Sequence, residues 1–143
     1  MSIEKTGSAH WQGSLKRGKG TVSTQSGALK DNPYGFNTRF EGEPGTNPEE
    51  LIAASHASCY SMALSMILGE AGHDPDDVRT EATVTLDQDD SGFKITKVHL
   101  VTRAKVPGID QAGFDDAAQK AKEGCPISRV LNAEITLDAT LES

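Results

Sequence analysis

An uncharged segment, residues 51–68, constrains the fold of this chain more than any other feature. Its 18 residues include no Asp, Glu, Lys or Arg. A helix start signal comes directly before it: Asn47 suits the N-cap, Pro48 the first turn, and Glu50 the third position after the cap. We predict a central helix over residues 47–69, ended by the sequence GEAGHDP.

The central helix is more apolar than a surface helix of a small protein. Its length would suit a bilayer, but its serines, its histidine and its capped start favour a helix buried on all sides. A chain of 143 residues has difficulty covering every side of a helix about 30 Å long. The sequence therefore predicts a homodimer that sandwiches this helix, with close contact through small residues: Ala53, Ala54, Ser55, Ala57, Ser58 and Ser61.

Composition favours one soluble globular domain over residues 1–143. Hydrophobic residues make up 36% and charged residues 24%, which is ordinary for such a domain. The net charge of −7 argues against nucleic-acid partners, which require clustered Lys and Arg. The N-terminal sequence MSIEKTGSAHW has no apolar signal region, so we expect a cytoplasmic protein without membrane attachment.

The rest of the chain is predicted to form strands, two helical segments and a final strand. Residues 1–45 contain two or three short antiparallel strands, with turns at GSLKRGKG and DNPYG. Residues 80–143 contain a hairpin with a bulge near residues 97–98, a helix over 111–123, a short turn at CPISRVL and a strand over 133–142. This order predicts an α+β fold with a mostly antiparallel sheet.

The two cysteines leave two interpretations open. In a reducing cytosol they favour a redox pair or a metal site over a standing structural disulfide, but free cysteines also serve as small buried hydrophobes. Cys59 lies in the middle of the central helix, whereas Cys125 lies beside a proline at an element boundary. At the start of a turn, the Cys125 thiolate would also gain from free backbone N–H groups.

A reactive Cys59 would need a cation from outside its helix. Burial raises a thiol pKa, and the helix dipole fades within the first turn, well before Cys59. The candidates are Arg39, Arg79, Arg103 and Arg129. Arg39 lies just before the central helix, and Glu49, at the start of that helix, could pair with it and hold the guanidinium in place.

His56 offers a competing hypothesis. It lies three residues before Cys59 on one helix face, so these two residues, Cys125 and another histidine would form a zinc ligand set. The remaining ligand spacing of a zinc site is missing. A packed or interface histidine is the other interpretation.

Two long segments add a family resemblance to these patterns. They are YGFNTRFEGEPGTNPEELIAASHASCYSMALSMILGEAG and KEGCPISRVLNAEITLDATL, and with the N-terminal AHWQGSLKRGKGTVSTQSG they cover essentially the whole chain. The chain closely resembles the OsmC/Ohr family. The arginine of FNTRF, placed shortly before the central helix, indicates the OsmC branch rather than the organic hydroperoxide resistance branch.

The resemblance implies a cysteine-based peroxidase that reduces organic hydroperoxides, and hydrogen peroxide less well. By motif, Cys59 is the peroxidatic cysteine and Cys125 the resolving cysteine, Arg39 is the activating cation, and Glu49 is its partner. The implied fold is an intertwined homodimer whose long central helices are wrapped by mostly antiparallel sheets. No haem, flavin or metal is implied, and the reductant is an external dithiol of the lipoyl type.

A substrate pocket and a rival function complete these expectations. Apolar side chains are expected to line a pocket for an organic hydroperoxide: Phe36, Phe40, Ile52 and Met62. The rival is a non-catalytic, stress-induced dimer whose groove binds a small apolar ligand, with slow thiols of ordinary pKa.

Overall fold

A computed structural model describes residues 1–143, which divide into two compact units, Met1–Leu51 and Ile52–Ser143. The first unit contains strands β1 (Gly7–Gln12), β2 (Lys19–Thr24) and β3 (Asn32–Tyr34) and a short helix α1 (Phe36–Phe40). Helix α2 (Pro48–Glu70) begins in this unit and continues into the second. The second unit then adds β4 (Asp77–Asp89), β5 (Gly92–Lys105), α3 (Gln111–Gly124), α4 (Pro126–Val130) and β6 (Glu134–Glu142).

The first unit is built on an antiparallel sheet in the order β1-β2-β3. The Trp11 and Tyr34 rings lie 5.4 Å apart on either side of Gly20. A Cβ on Gly20 would come within 2.7 Å of the Trp11 ring and 2.5 Å of the Tyr34 ring. Glycine is therefore required on β2 where the two rings converge, and Trp11 is a packing residue here.

The predicted turn at DNPYG is wrong, because β3 occupies residues 32–34 of that stretch. Pro33 cannot donate a backbone hydrogen bond, but β3 is the edge strand of this sheet, with only an isolated bridge between Tyr34 and Thr46 on its outer side. Edge strands tolerate proline. Helix α1 follows at once, and the Thr38 hydroxyl accepts from the Gly35 N–H at 2.9 Å. Sequence reasoning did not predict α1.

Helix α2 begins and ends where the sequence predicts, within one residue. The Glu50 N–H donates to Asn47 Oδ1 at 2.8 Å, which satisfies one of the free N–H groups of the first turn. The Asn47 amide also donates to the Glu50 carboxylate, so these side chains bond to each other. In a capping box, Glu50 would accept from the Asn47 backbone N–H instead.

The second unit is built on a sheet in the order β4-β5-β6. Strands β4 and β5 are antiparallel, and their register shifts between Thr85 and Leu86, opposite Lys97 and Ile95, so Thr96 is the extra residue. The bulge lies one residue before its predicted place. Strand β6 runs parallel to β5, because α3 and α4 form the crossover connection that a parallel pair requires.

One face of α2 is buried in the core of the second unit. Tyr60, Leu64 and Leu68 repeat every four residues and are fully buried with side chains of β5 and α3. Helix α2 is long and apolar enough to cross a membrane by length and composition alone; its buried side chains are those of a core helix. Its opposite face is exposed in the single chain: Ala54, Ser55, Ser58, Met62, Ser65 and Met66.

Candidate functional site

The two cysteines of the chain lie together in the second unit, where they form a pair of free thiols. Cys59 is half-buried on α2, and Cys125 is fully buried between α3 and α4. The two side chains are neighbours, and Cys125 raises the pKa of the Cys59 thiol. Two neighbouring thiols are the starting point for a disulfide.

Local structure explains the position of Cys125. It ends α3, where its N–H donates to the Ala121 carbonyl at 3.0 Å, and it precedes Pro126, the first residue of α4. The Tyr60 hydroxyl donates to the Ala118 carbonyl at 3.2 Å and so ties α3 to α2 about two turns before Cys125. Burial raises the pKa of Tyr60, and so does a nearby Cys125 thiolate, so the phenol stays a proton donor.

The surroundings of Cys59 do not by themselves activate it. Burial raises the pKa of the Cys59 thiol, and the hydrogen bond with Cys125 raises it further. The backbone N–H of Ile127, in the first turn of α4, acts in the opposite direction because it donates to the sulfur. The unaided Cys59 thiol is therefore a poor nucleophile at neutral pH.

His56 is fully buried one turn before Cys59. Its Nε2 lies 2.8 Å from the Ser128 hydroxyl on α4, while its Nδ1 is buried without a hydrogen-bond partner. Burial lowers the pKa of His56, which favours the neutral ring. The predicted zinc set does not assemble around it, since no group of three or more His, Cys, Asp or Glu side chains comes together in this structure.

Sequence reasoning missed Ser128. The signal was available as a repeated spacing: three residues separate His56 from Cys59, and three separate Cys125 from Ser128. In helical structure both spacings place the two side chains on one face. In the structure the first residue of each pair faces the second residue of the other. His56 lies beside Ser128, and Cys59 lies beside Cys125.

The first unit holds Arg39 and Glu49 as an ion pair. Arg39 Nε lies 3.1 Å from both Glu49 carboxylate oxygens, and Nη2 lies 2.6 Å from Oε1. The Glu49 side chain is only 13% exposed and that of Arg39 is 36% exposed. Glu49 therefore holds the guanidinium through Nε and Nη2, and Nη1 takes no part in this ion pair.

An apolar cavity of about 200 Å³ lies beside this ion pair within the first unit. Phe36 and Phe40, two of the predicted pocket residues, line it together with Arg39, whose guanidinium carbon stands 5.3 Å from the centre of the Phe40 ring. The other two predicted members, Ile52 and Met62, belong to the second unit.

Sequence comparison relates the chain to one family. Residues 40–140 match the family model described as OsmC-like protein. The chain is 64% identical to the peroxiredoxin OsmC of Escherichia coli (strain K12) over the full length of both. It is 30% identical to the organic hydroperoxide resistance protein OhrB of Bacillus subtilis (strain 168), over 86% of this chain and 89% of that protein.

Solved structures share the fold. The crystal structure of Bacillus subtilis OhrB matches 96% of this chain and 98% of its own, with a TM-score of 0.70 and 29% identity. An organic hydroperoxide resistance protein from Elizabethkingia anophelis covers 100% of this chain and 99% of its own, with a TM-score of 0.71 and 25% identity. The mixed α/β architecture is thus that of OsmC and Ohr proteins.

Proposed function

The chain belongs to the OsmC-like protein family, and from that membership we propose that it is a thiol-dependent peroxidase that reduces organic hydroperoxides, and hydrogen peroxide less well. Its relatives include proteins named peroxiredoxin and organic hydroperoxide resistance protein. The contact between the Cys59 and Cys125 thiols is the observation that carries the proposal. A nucleophilic thiol and a second thiol within reach are what a two-cysteine peroxidase requires.

In the first step, Cys59 is the nucleophile. Its thiolate attacks the terminal oxygen of the hydroperoxide, the O–O bond breaks, and the alkoxide leaves as an alcohol after taking up a proton. Because burial raises the Cys59 pKa, a cation is needed to stabilise the thiolate. We assign that role to Arg39, with Glu49 holding the guanidinium and Nη1 hydrogen-bonding the peroxide.

In the second step, Cys125 resolves the oxidised Cys59. The Cys125 sulfur attacks the sulfur of the Cys59 sulfenic acid, an S–S bond forms, and the S–O bond breaks with loss of water. An external dithiol of the lipoyl type then reduces this disulfide by thiol exchange. Every oxidation is balanced by thiol chemistry, so the cycle needs no metal, haem or flavin.

Several finer assignments belong to the same proposal. The cavity lined by Phe36 and Phe40 suits the apolar part of an organic hydroperoxide. The protein acts in the cytoplasm, where dithiol reductants are available. Residues 1–143 act as a single domain.

The function can be tested by trapping the product of one turnover. Fully reduced protein, mixed with one equivalent of cumene hydroperoxide and quenched with acid, should yield a peptide pair joined through Cys59 and Cys125 in mass spectra. Cumyl alcohol should appear in equal amount, because each disulfide accounts for one reduced peroxide. Unchanged peroxide together with two free thiols would refute the proposed function.

The homodimer is proposed from the exposed face of α2. Met62 and Met66 are 75% and 58% exposed in the single chain, and small residues lie between and before them on this face. Such a surface admits another backbone at close range and contains no charge, so we propose that two copies pack against each other along α2.

Sedimentation velocity should show the dimer, and Met62→Arg should shift the protein toward monomer because it would bury a charge without a partner. Asp115→Arg, an exposed change on α3, is the matched control and should leave the dimer intact. Wild-type protein that sediments only as a monomer at micromolar concentrations would exclude this interface.

A further inference from the structure

Helix α4 carries the resolving cysteine at its start and is tied to α2 by three contacts. Cys125 touches Cys59, and the Ile127 N–H donates to the Cys59 sulfur. The third contact joins Ser128 to His56 across 2.8 Å. The first two contacts involve sulfur atoms that react during the catalytic cycle, whereas the third involves no sulfur.

The persistence of the third contact follows from this difference. When Cys59 becomes a sulfenic acid, its sulfur gains an oxygen atom and its hydrogen bonds with Cys125 and Ile127 must change. The His56–Ser128 hydrogen bond is not touched by that chemistry. It can therefore hold α4 against α2 between the formation of the Cys59 sulfenic acid and the attack by Cys125.

The surroundings of His56 favour one tautomer for this task. Nδ1 is buried and has no hydrogen-bond partner. Either neutral tautomer leaves Nδ1 unpaired, as a donor or as an acceptor, and a buried N–H without a partner is the rarer case in proteins. We therefore assign the proton to Nε2, which donates to the Ser128 hydroxyl.

We propose that His56 is a positioning residue whose hydrogen bond to Ser128 fixes α4 so that Cys125 stays beside the oxidised Cys59 and closes the disulfide. This inference rests on the proposed peroxidase function. His56 touches neither the peroxide nor the reacting sulfurs in this role. It acts through α4, and its effect falls on the resolving step more than on the peroxide step.

The test separates these two steps. Reduced protein is mixed with cumene hydroperoxide, and samples are quenched over time with dimedone, which traps the sulfenic acid, and with acid, which preserves the disulfide. Ser128→Ala should lower the ratio of the disulfide rate to the sulfenic acid rate by about tenfold, since small misplacements of a reacting group carry costs of this order or more. Under excess peroxide, the same variant should accumulate more Cys59 sulfinic acid.

Matched variants distinguish the loss of this hydrogen bond from a general loss of structure. Ser128→Thr keeps the hydroxyl and should restore the ratio, and Val130→Ala, an exposed change in α4, should leave it unchanged. His56→Leu should resemble Ser128→Ala if it folds, and Ser128→Ala alone decides if it does not. A wild-type ratio in Ser128→Ala, or an equal slowing of both steps, would overturn the positioning role. A wild-type protein that consumes no peroxide would instead refute the proposed function itself.

Discussion

Cys59→Ser should lower the rate of organic hydroperoxide consumption by at least about 10³-fold, to the level of the reaction without protein. A serine hydroxyl is not ionised at neutral pH and is a far weaker nucleophile toward the O–O bond than a thiolate. The substitution hardly changes the volume of a half-buried side chain, so the fold should survive. The measurement is cumene hydroperoxide loss with a chemical dithiol as reductant.

Cys125→Ser is the matched control, because it removes the second thiol of the same pair. Mixed with peroxide in the absence of any dithiol, it should consume about one equivalent at a rate close to wild type and leave Cys59 as a sulfenic acid, whereas the wild type ends as the disulfide. Full turnover by Cys59→Ser would contradict the assignment of Cys59 as nucleophile. Wild-type protein that also ends as the Cys59 sulfenic acid, with Cys125 still a free thiol, would contradict the assignment of Cys125 as resolving cysteine.

Arg39→Met should lower the second-order rate constant for cumene hydroperoxide by about 100-fold, the usual loss for one charge-stabilising donor. Burial raises the Cys59 pKa, and without the guanidinium only the Ile127 backbone N–H would counter that effect. Arg39→Lys should recover only part of the rate, because an ammonium group cannot match both carboxylate oxygens of Glu49 while offering a planar edge to the peroxide.

Arg79→Met provides the comparison for Arg39. The Arg79 side chain is 83% exposed and contacts Asp77 at 3.2 Å, as an ordinary surface pair, so its loss should leave the rate unchanged. The pH dependence of the rate gives a second measurement: Arg39→Met should move the rising limb to higher pH if the guanidinium stabilises the thiolate. If Arg39→Met had wild-type kinetics, Arg39 would have no role in the peroxide reaction.

Local sequence signals predicted α2 well and β3 poorly, for different reasons. The bounds of α2 depend on a cap, a proline and an apolar run, all of which lie within the segment itself. Strand β3 has three residues, one of them proline, and exists because β2 pairs with it. Alternation in the last strand predicted β6 but not its direction, which is set by the crossover through α3 and α4.

The candidate site shows the same limit. The position of Cys125 at an element boundary suggested reactivity, whereas the mid-helix position of Cys59 argued for an inert thiol unless a cation lay nearby. The contact between the two cysteines depends on how α4 folds back onto α2, which the family resemblance implied but no local sequence signal predicted. The missed partner, Ser128, lies in no sequence motif that would identify it as a functional residue. Its significance comes from lying opposite a buried histidine.

The contact between Cys59 and Cys125 also joins parts of the chain that are far apart in sequence. A disulfide between them would close a long loop in the unfolded chain and lower its conformational entropy, which stabilises the folded protein by about 4 kcal/mol. The oxidised protein would thus melt at a higher temperature than the reduced one. When reductant runs short, the molecules that accumulate would be the form that best resists unfolding and proteolysis.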